Sequence, residues 1–162
     1  MLKYLYCKEI FREIPGEITL GVSLTGCTIK CNGCHSKELW KDHGTPLTIE
    51  SVQQLLDKHQ GISCLLLFGG EHDIPSLINI VRIARGRVKT AWYCGLDAIP
   101  SQYSEILQYL DYVKIGHYDQ KLGGLESPTT NQRLYKYSPY YSEYTIGKSW
   151  RDITSSFYKL KC

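Results

Sequence analysis

Three cysteines stand within eight residues of one another, in the segment LTGCTIKCNGCHSKELW. They are Cys27, Cys31 and Cys34, and their spacing is C-x3-C-x2-C. Thiolates at this density are ligands of zinc or of an iron–sulphur cluster. A structural zinc site closes with four protein ligands, and a ferredoxin-type cluster also takes four cysteines. The motif supplies three, so either a fourth ligand lies elsewhere in the chain or one metal position is left open.

A structural zinc ion is the first interpretation of this motif. Its fourth ligand would be His35, His72, Cys64 or Cys94. His35 directly follows the third cysteine, so its ring would have to bend back onto the same ion. Zinc ribbons use two separated cysteine pairs, and the sequence has no second C-x2-C. The other interpretation is a four-iron cluster held by three thiolates, with one iron free to bind a molecule that reacts.

The elements that must position these residues alternate along the chain. The predicted strands are EITLGVSLTG, SCLLLFGGE, VKTAWYCG and YVKIGHYD. The predicted helices are TIESVQQLLDKHQG, DIPSLINIVRIARG and PSQYSEILQYLD, with Thr48 and Asp73 as N-caps of the first two. This alternation predicts an α/β fold made of parallel βαβ units, as an open sheet or as part of a barrel.

Four unusual segments directly follow the predicted strands. They are the cysteine loop, Gly69-Gly70-Glu71, the turn at Cys94-Gly95 and the segment after Gly116. Because ligands of parallel sheets gather at the carboxyl ends of the strands, the four segments predict one active site. From Leu122 the pattern weakens, and residues 122–162 are expected to be an irregular covering segment with a tyrosine-rich tail (Tyr135, Tyr137, Tyr140, Tyr141 and Tyr144).

The composition limits the remaining choices. A chain of 162 residues, 43% hydrophobic and 22% charged, predicts a single domain over residues 1–162. The net charge is only +3, with scattered Lys and Arg, so no nucleic-acid partner is expected. No apolar run suits a signal peptide or a membrane helix, which predicts a cytoplasmic protein without a membrane partner. Seven cysteines in a reducing compartment then indicate metal binding or catalysis.

The cysteine loop after a strand, together with a later apolar strand that ends in Gly-Gly-Glu, resembles the radical S-adenosylmethionine enzymes. The resemblance implies a partial, open parallel (β/α) barrel and one 4Fe-4S cluster, with Cys27, Cys31 and Cys34 as its ligands. In that family S-adenosylmethionine chelates the fourth iron. One electron then cleaves it to methionine and a 5′-deoxyadenosyl radical, which abstracts a hydrogen atom.

The resemblance also implies where the cofactor binds. The backbone at Gly69 and Gly70 would receive the methionine amino group, and Glu71 would balance its charge. Lys114 would pair with the methionine carboxylate if its side chain points inward, and it would be a solvated strand-edge lysine if not. No catalytic residue is assigned beyond the cluster ligands.

The adenine contact departs from the family pattern. Many members carry an aromatic residue just before the third cysteine, whereas this chain has Gly33 there. His35, just after the third cysteine, is the expected substitute, through its ring or its backbone. Both positions are therefore expected to line the cofactor site.

Within the superfamily, the short length, CHSKELW and the segment DYVKIGHYDQKLGGLESPTTNQRLYKY resemble the activating proteins of anaerobic ribonucleotide reductase. The resemblance implies an enzyme that generates a glycyl radical on the large subunit of that reductase, with a reduced flavodoxin-like electron donor. Two alternatives stay open: a radical enzyme acting on a small molecule and a non-enzymatic metal-binding module. The roles of Cys94, Asn131 and Arg133 also stay open.

Overall fold

The computed structural model describes residues 1–138 and 149–158. Tyr140, Tyr141, Tyr144 and Cys162 lie outside the described residues. The strands are β1 (Lys3–Ile10), β2 (Thr19–Leu24), β3 (Thr45–Pro46), β4 (Cys64–Phe68), β5 (Lys89–Tyr93), β6 (Tyr112–Ile115), β7 (Arg133–Ser138) and β8 (Ser149–Asp152). The α-helices are α1 (Ile49–Lys58) and α2 (Ile74–Ala84), and 3₁₀ helices span Lys37–Trp40, Ser101–Tyr109 and Thr154–Phe157.

All eight strands form one open sheet in the order β3-β1-β2-β4-β5-β6-β7-β8. The α/β class is thereby confirmed. The sheet is mixed, however, because only β2, β4, β5 and β6 are parallel to one another. β1 pairs antiparallel with β2, and β7 pairs antiparallel with β6 and β8. The expectation of a parallel sheet is therefore correct for the centre and wrong for the flanks, where no crossover helix separates β1 from β2.

Both α-helices begin at the predicted caps. Thr48 Oγ1 accepts a hydrogen bond from the Ser51 backbone N–H at 3.2 Å, and Ser51 Oγ accepts one from the Thr48 backbone N–H at 2.8 Å. At α2, Asp73 Oδ1 accepts from the Ser76 backbone N–H at 3.2 Å. These contacts satisfy amides that the first helical turn leaves unpaired, which is why polar residues mark both starts.

Several elements differ from the sequence prediction. The segment expected to be a helix around residues 100–111 is a 3₁₀ helix, in which Tyr103, Ile106 and Tyr109 recur every three residues and pack on the core. β1 was not predicted, because its mixed polar pattern lies half-exposed beside β2. β7 and β8 lie within the segment expected to be irregular, and they correct that expectation where they occur. The single-domain organisation stays a prediction.

The two faces of the sheet are covered differently. Alternate side chains of β2 point to one face, where Leu20, Val22 and Leu24 join the core under the helices. The opposite face carries a smaller cluster built on Cys64, Leu66, Ala91, Tyr112 and Leu134, with Ile14 and Leu125 from loops. Among the described helices, none has both the length and the apolar character required to cross a membrane.

Candidate metal centre

The carboxyl ends of the four parallel strands bring the predicted segments together. Ile29 of the cysteine loop packs against Gly95 after β5, so closely that a methyl group at Gly95 would lie 2.9 Å from Ile29 Cγ1. The Gly116 backbone N–H after β6 donates to Leu96 O at 2.7 Å. The Cys27 backbone N–H donates to Leu39 O at 3.0 Å, which closes the base of the cysteine loop. The expected shared edge is therefore present.

The three cysteines of the loop are free thiols, each partly exposed, and each sulphur accepts backbone hydrogen bonds. Cys31 Sγ accepts from the Tyr118 N–H, and Cys34 Sγ accepts from the Ser36 N–H, both at 3.4 Å. Burial raises the pKa of Cys27, and hydrogen bonds from the backbone of Lys30 and Ile29 oppose that rise. Amides aimed at sulphur favour the thiolate form, which is the form that binds metal.

Lys30 has an unusual backbone conformation that supports this arrangement. Its φ of +50° lies in the left-handed region, which non-glycine residues rarely adopt. The residue is one of the three between Cys27 and Cys31, and its amide is one of those that bond to Cys27. The x3 spacer therefore folds its own amides back onto the first sulphur.

Two other cysteines are more deeply buried than those of the loop. Cys64 and Cys94 are buried, and their thiols donate to the carbonyl oxygens of Leu65 and Leu96 at 3.7 and 4.0 Å. Burial raises the pKa of Cys94 to about 12, and it raises the pKa of Cys64 further. Both thiols are thus harder to deprotonate than an exposed cysteine.

The candidate fourth ligands of a zinc site lie in different surroundings. Cys64 begins β4, so it lies at the edge of the sheet opposite the cysteine loop. His35 contacts Tyr118, and His72 packs beside Gly26. Within residues 1–138 and 149–158, no group of three or more His, Cys, Asp or Glu is arranged to hold a single metal ion. Three thiols in one loop are the donor set that would hold a 4Fe-4S cluster with one iron left open.

The segment after β6 contacts the cysteine loop at three points, and sequence reasoning missed all of them. Besides the Tyr118 amide on Cys31, His35 Nε2 lies 3.0 Å from Tyr118 Oη, with the two rings edge-to-face at 5.2 Å. Gln120 covers Gly33, where an added methyl group would lie 2.7 Å from its side chain. Gly33 has a φ of +73°, so both its conformation and this close contact require glycine. The available signal was the position of Tyr118, just after a strand that ends at the same edge.

Gly69-Gly70-Glu71 forms a tight turn at the end of β4. Gly69 and Gly70 have φ values of +83° and +90°, and a methyl group at Gly70 would lie 2.7 Å from Leu24 Cδ1. Glu71 Oε1 accepts a hydrogen bond from the Gly95 N–H at 2.7 Å. Its other oxygen, Oε2, is shielded from solvent and has no hydrogen-bond partner in the described part of the chain. A buried carboxylate oxygen without a donor is costly, unless a ligand supplies one.

Lys114 points into the protein, so it is not a solvated strand-edge lysine. The residue is only 8% exposed, and its Nζ donates to Gly116 O at 2.9 Å. Burial lowers the pKa of Lys114, and the nearby Cys94, Cys31 and Glu71 oppose that shift. The side chain therefore places a cation beside the Gly-Gly-Glu carboxylate and the cysteine loop.

The segment before β7 returns the chain to this edge. Asn131 Nδ2 donates to His117 O at 3.0 Å, while Asn131 Oδ1 is buried with no partner among the residues described. Arg133 donates to the backbone oxygens of Thr130 and Gln132, both at 2.9 Å. The Arg133 side chain is thus engaged with its own segment, whereas the Asn131 oxygen is left without a donor.

The chain matches known proteins over most of this region. It matches the family described as "4Fe-4S single cluster domain" over residues 15–135. It is 30% identical to the anaerobic ribonucleoside-triphosphate reductase-activating protein of Enterobacteria phage T4, over 125 residues that cover 69% of this chain and 80% of that protein. It is 35% identical to a 7-carboxy-7-deazaguanine synthase of Rhodopirellula baltica over 81 residues, which are 47% of this chain and 31% of that protein. No solved structure matches it significantly.

Proposed function

The chain belongs to the 4Fe-4S single cluster domain family, and from that membership we propose that it is a radical S-adenosylmethionine enzyme that activates an anaerobic ribonucleotide reductase. The observation that carries the proposal is a loop of three free thiols, each accepting backbone N–H groups, at the carboxyl edge of a parallel sheet. The reductase is the proposed partner because the chain is similar to a reductase-activating protein over four fifths of that protein's length.

Cys27, Cys31 and Cys34 are the proposed ligands of one 4Fe-4S cluster. When bound, the reduced cluster supplies the electron that cleaves S-adenosylmethionine to methionine and a 5′-deoxyadenosyl radical, which takes a hydrogen atom from a glycine of the reductase. The chain's own residues fit this role, because the amides on the sulphurs stabilise thiolates. In contrast, Cys64 and Cys94 donate from neutral thiols and are left outside the ligand set.

The charges beside the loop match the amino-acid half of S-adenosylmethionine. Glu71 offers an ammonium group a carboxylate oxygen that has no partner in residues 1–138 and 149–158, and the glycines at 69 and 70 allow a ligand to approach the backbone. Lys114 offers a buried ammonium to a carboxylate. Gly33 lies within the cysteine loop and His35 directly follows it. The His35 side chain is exposed and therefore available to contact adenine.

The proposal extends to the curvature of the sheet, the electron donor and the compartment. The open sheet is proposed to curve as a partial barrel within a single domain, so that a glycine-bearing loop of the reductase large subunit enters from the side. A reduced flavodoxin-like protein is the proposed electron donor, and the cytoplasm is the proposed compartment. The exposed positions in the cysteine loop (Thr28, Lys30, Asn32 and His35) give such a donor access to the cluster.

A radical enzyme acting on a small molecule is the second candidate. Its support is the 35% identity to a deazaguanine synthase over 81 residues. That match covers less than a third of the synthase, and a small substrate has to be enclosed by protein. The activase is preferred because the similarity to the phage protein extends over 125 residues.

The test begins with anaerobic reconstitution of the protein with iron and sulphide. After reduction with dithionite, 5′-deoxyadenosine is measured by chromatography in the presence of S-adenosylmethionine. We expect a brown protein that forms this product, and Cys27→Ala, Cys31→Ala and Cys34→Ala should each abolish it. Cys7→Ala and Cys94→Ala are matched controls that should retain it. A colourless, zinc-loaded protein without product would contradict both enzyme candidates, and loss of the cluster in Cys94→Ala would contradict the three-ligand assignment.

The partner is tested in the same preparation. Addition of a candidate reductase large subunit should give a glycyl radical signal in electron paramagnetic resonance. Product formation that never yields this signal, with several such reductases, would favour the small-molecule candidate.

A further inference from the structure

Two side-chain oxygens beside the cysteine loop are buried and unpartnered in the described residues, Glu71 Oε2 and Asn131 Oδ1. Two further atoms of the described residues lack a partner: Thr19 Oγ1, at the opposite edge of the sheet, and Trp40 Nε1, at the end of the 3₁₀ helix after the loop. Glu71 Oε2 and Asn131 Oδ1 are both acceptors. A ligand that presents hydrogen-bond donors to two places would satisfy both.

The orientation of the Asn131 amide is fixed by its neighbour. Its Nδ2 donates to His117 O at 3.0 Å, and exchanging the amide nitrogen and oxygen would set two oxygens against each other. The oxygen is therefore the atom without a partner. Leaving a buried carbonyl acceptor unpaired is unfavourable, so its position indicates a donor that is bound there.

Asn131 is connected to the cysteine loop through two adjacent residues. Its amide holds His117 O, and the next residue, Tyr118, donates its N–H to Cys31 Sγ. The carbonyl oxygen of Gly116 accepts from both Lys114 Nζ at 2.9 Å and Gln132 Nε2 at 3.3 Å. The Asn131 acceptor is thus built into the same framework that holds the buried lysine and the loop.

The three polar groups differ in charge, and the difference assigns them to parts of a ligand. The Glu71 anion is complementary to an ammonium, and the Lys114 cation is complementary to a carboxylate. Asn131 is neutral, so it suits the neutral donors that remain, which in a nucleoside are hydroxyl and amino groups. We infer that Asn131 Oδ1 accepts a hydrogen bond from the nucleoside half of S-adenosylmethionine, while Glu71 and Lys114 hold the amino-acid half. This inference rests on the proposed function.

The test compares ligand fragments and variants at equilibrium. Affinities of the reconstituted protein for S-adenosylmethionine, for 5′-methylthioadenosine and for methionine are measured by anaerobic calorimetry or equilibrium dialysis. Asn131→Leu should weaken S-adenosylmethionine and 5′-methylthioadenosine about tenfold, the value of one hydrogen bond, with methionine unchanged within about twofold. Glu71→Gln should do the reverse, weakening methionine about tenfold and leaving 5′-methylthioadenosine unchanged.

Asn131→Asp separates a ligand contact from a structural one. Both variants lose the donor to His117 O, but Asp keeps an acceptor oxygen at the position of Asn131 Oδ1. The inference expects 5′-methylthioadenosine to bind Asn131→Asp several-fold more tightly than Asn131→Leu. If Asn131→Leu does not fold, Asn131→Ala carries the same expectation.

Three outcomes overturn the assignment of Asn131. They are equal nucleoside affinity in the Asp and Leu variants, equal weakening of both fragments, and wild-type affinity in Asn131→Leu. Failure of the proposed function looks different, since wild-type protein would then hold no cluster and bind no S-adenosylmethionine, which overturns both.

Discussion

The sheet has one carboxylate, Glu17, at the amino ends of its parallel strands (the amino edge) and another, Glu71, at their carboxyl ends (the carboxyl edge). The two differ in how fully they are hydrogen-bonded. Before β2, Glu17 Oε1 accepts from Lys89 Nζ at 2.6 Å and from Tyr112 Oη at 2.7 Å, and its Oε2 accepts from Ser63 Oγ at 2.6 Å. After β4, Glu71 has the Gly95 N–H on one oxygen and, among the described residues, nothing on the other.

The difference separates stability from ligand binding. Burial would raise the pKa of Glu17, but the hydrogen bonds from Lys89, Ser63 and Tyr112 outweigh it and the pKa is lowered. That carboxylate contributes its full interaction energy to the folded chain. One oxygen of the Glu71 carboxylate accepts no hydrogen bond within the described residues. That oxygen can therefore contribute free energy only when a ligand with a donor binds. The amino edge therefore stabilises the fold, and the carboxyl edge is where we propose that the ligand binds.

Removal of the Glu17 side chain should give the largest effect on stability. Glu17→Ala leaves the Tyr112 hydroxyl buried without its acceptor, although Lys89, half-exposed, can turn to solvent. We expect the free energy of unfolding to fall by about 3 kcal/mol, measured by urea denaturation of the apoprotein. Glu71→Ala is the matched control and should lose only about 1 kcal/mol, for one hydrogen bond. Equal losses would remove the distinction between the two edges.

Substitution of the two glycines at the carboxyl edge should destabilise the protein to different extents, because their surroundings are not equally crowded. Gly70→Ala should destabilise the apoprotein by about 2 kcal/mol more than Gly69→Ala, because only the former forces a methyl group against Leu24 and Leu77. Both substitutions share the left-handed backbone, so that strain cancels in the difference. Denaturation curves of the two variants provide the measurement. A smaller loss in Gly70→Ala would show that the turn at the end of β4 is loosely packed.

Neutralisation of Glu71 should change binding and leave folding alone. In Glu71→Gln the amide oxygen can still accept from the Gly95 N–H, so the free energy of unfolding should stay within about 0.5 kcal/mol of wild type. The affinity for S-adenosylmethionine should fall at least about tenfold, since a hydrogen bond to a charged group contributes about 1.5–3 kcal/mol. Anaerobic calorimetry measures the affinity. An unchanged affinity would mean that the free oxygen faces no ligand.

The pH dependence should follow the amino edge. A lowered pKa in the folded state means that Glu17 contributes stability above its unfolded pKa, and that this contribution is lost as the pH falls through the folded value. Lys89 has a raised pKa, mainly through its hydrogen bond to Glu17, so its contribution is lost only as the pH rises through that value. Acid unfolding should therefore begin at higher pH and be less steep in Glu17→Gln. The effect should be smaller than in Glu17→Ala, because the amide retains part of the hydrogen bonding.

The sequence predicts some features of the two edges and not others. The cysteine spacing, the capped helices and the strands that end in glycine depend on neighbours in sequence, and those features were all predicted. Cys64, which the sequence left as a candidate fourth ligand, begins β4 and therefore lies away from the cysteine edge. Local pattern was therefore enough to place the loop and Glu71 at one end of the sheet, whereas it left the direction of the Lys114 side chain open.

The remaining contacts depend on where distant segments return. Asn131 reaches His117, and Tyr118 reaches Cys31, only because the chain turns back after β6. The partners of Glu17 come from three separate strands or their approaches, and the flanking strands pair antiparallel across long loops. Periodicity carries no information on such pairings, because a residue's own neighbours do not set them.

The smallest predicted effect concerns the cysteine loop itself, which is held by several weak contacts where Glu17 has a few strong ones. Tyr118→Phe removes the hydroxyl beside His35 Nε2 but keeps the ring contact and the backbone N–H on Cys31. One exposed hydrogen bond contributes roughly 0.5 kcal/mol, so iron loss to a chelator should accelerate about twofold to threefold. Tyr103→Phe, on the helical side of the sheet, should leave the rate unchanged. Loss of the cluster in Tyr118→Phe would mean that this hydroxyl, rather than the backbone amides, controls the loop.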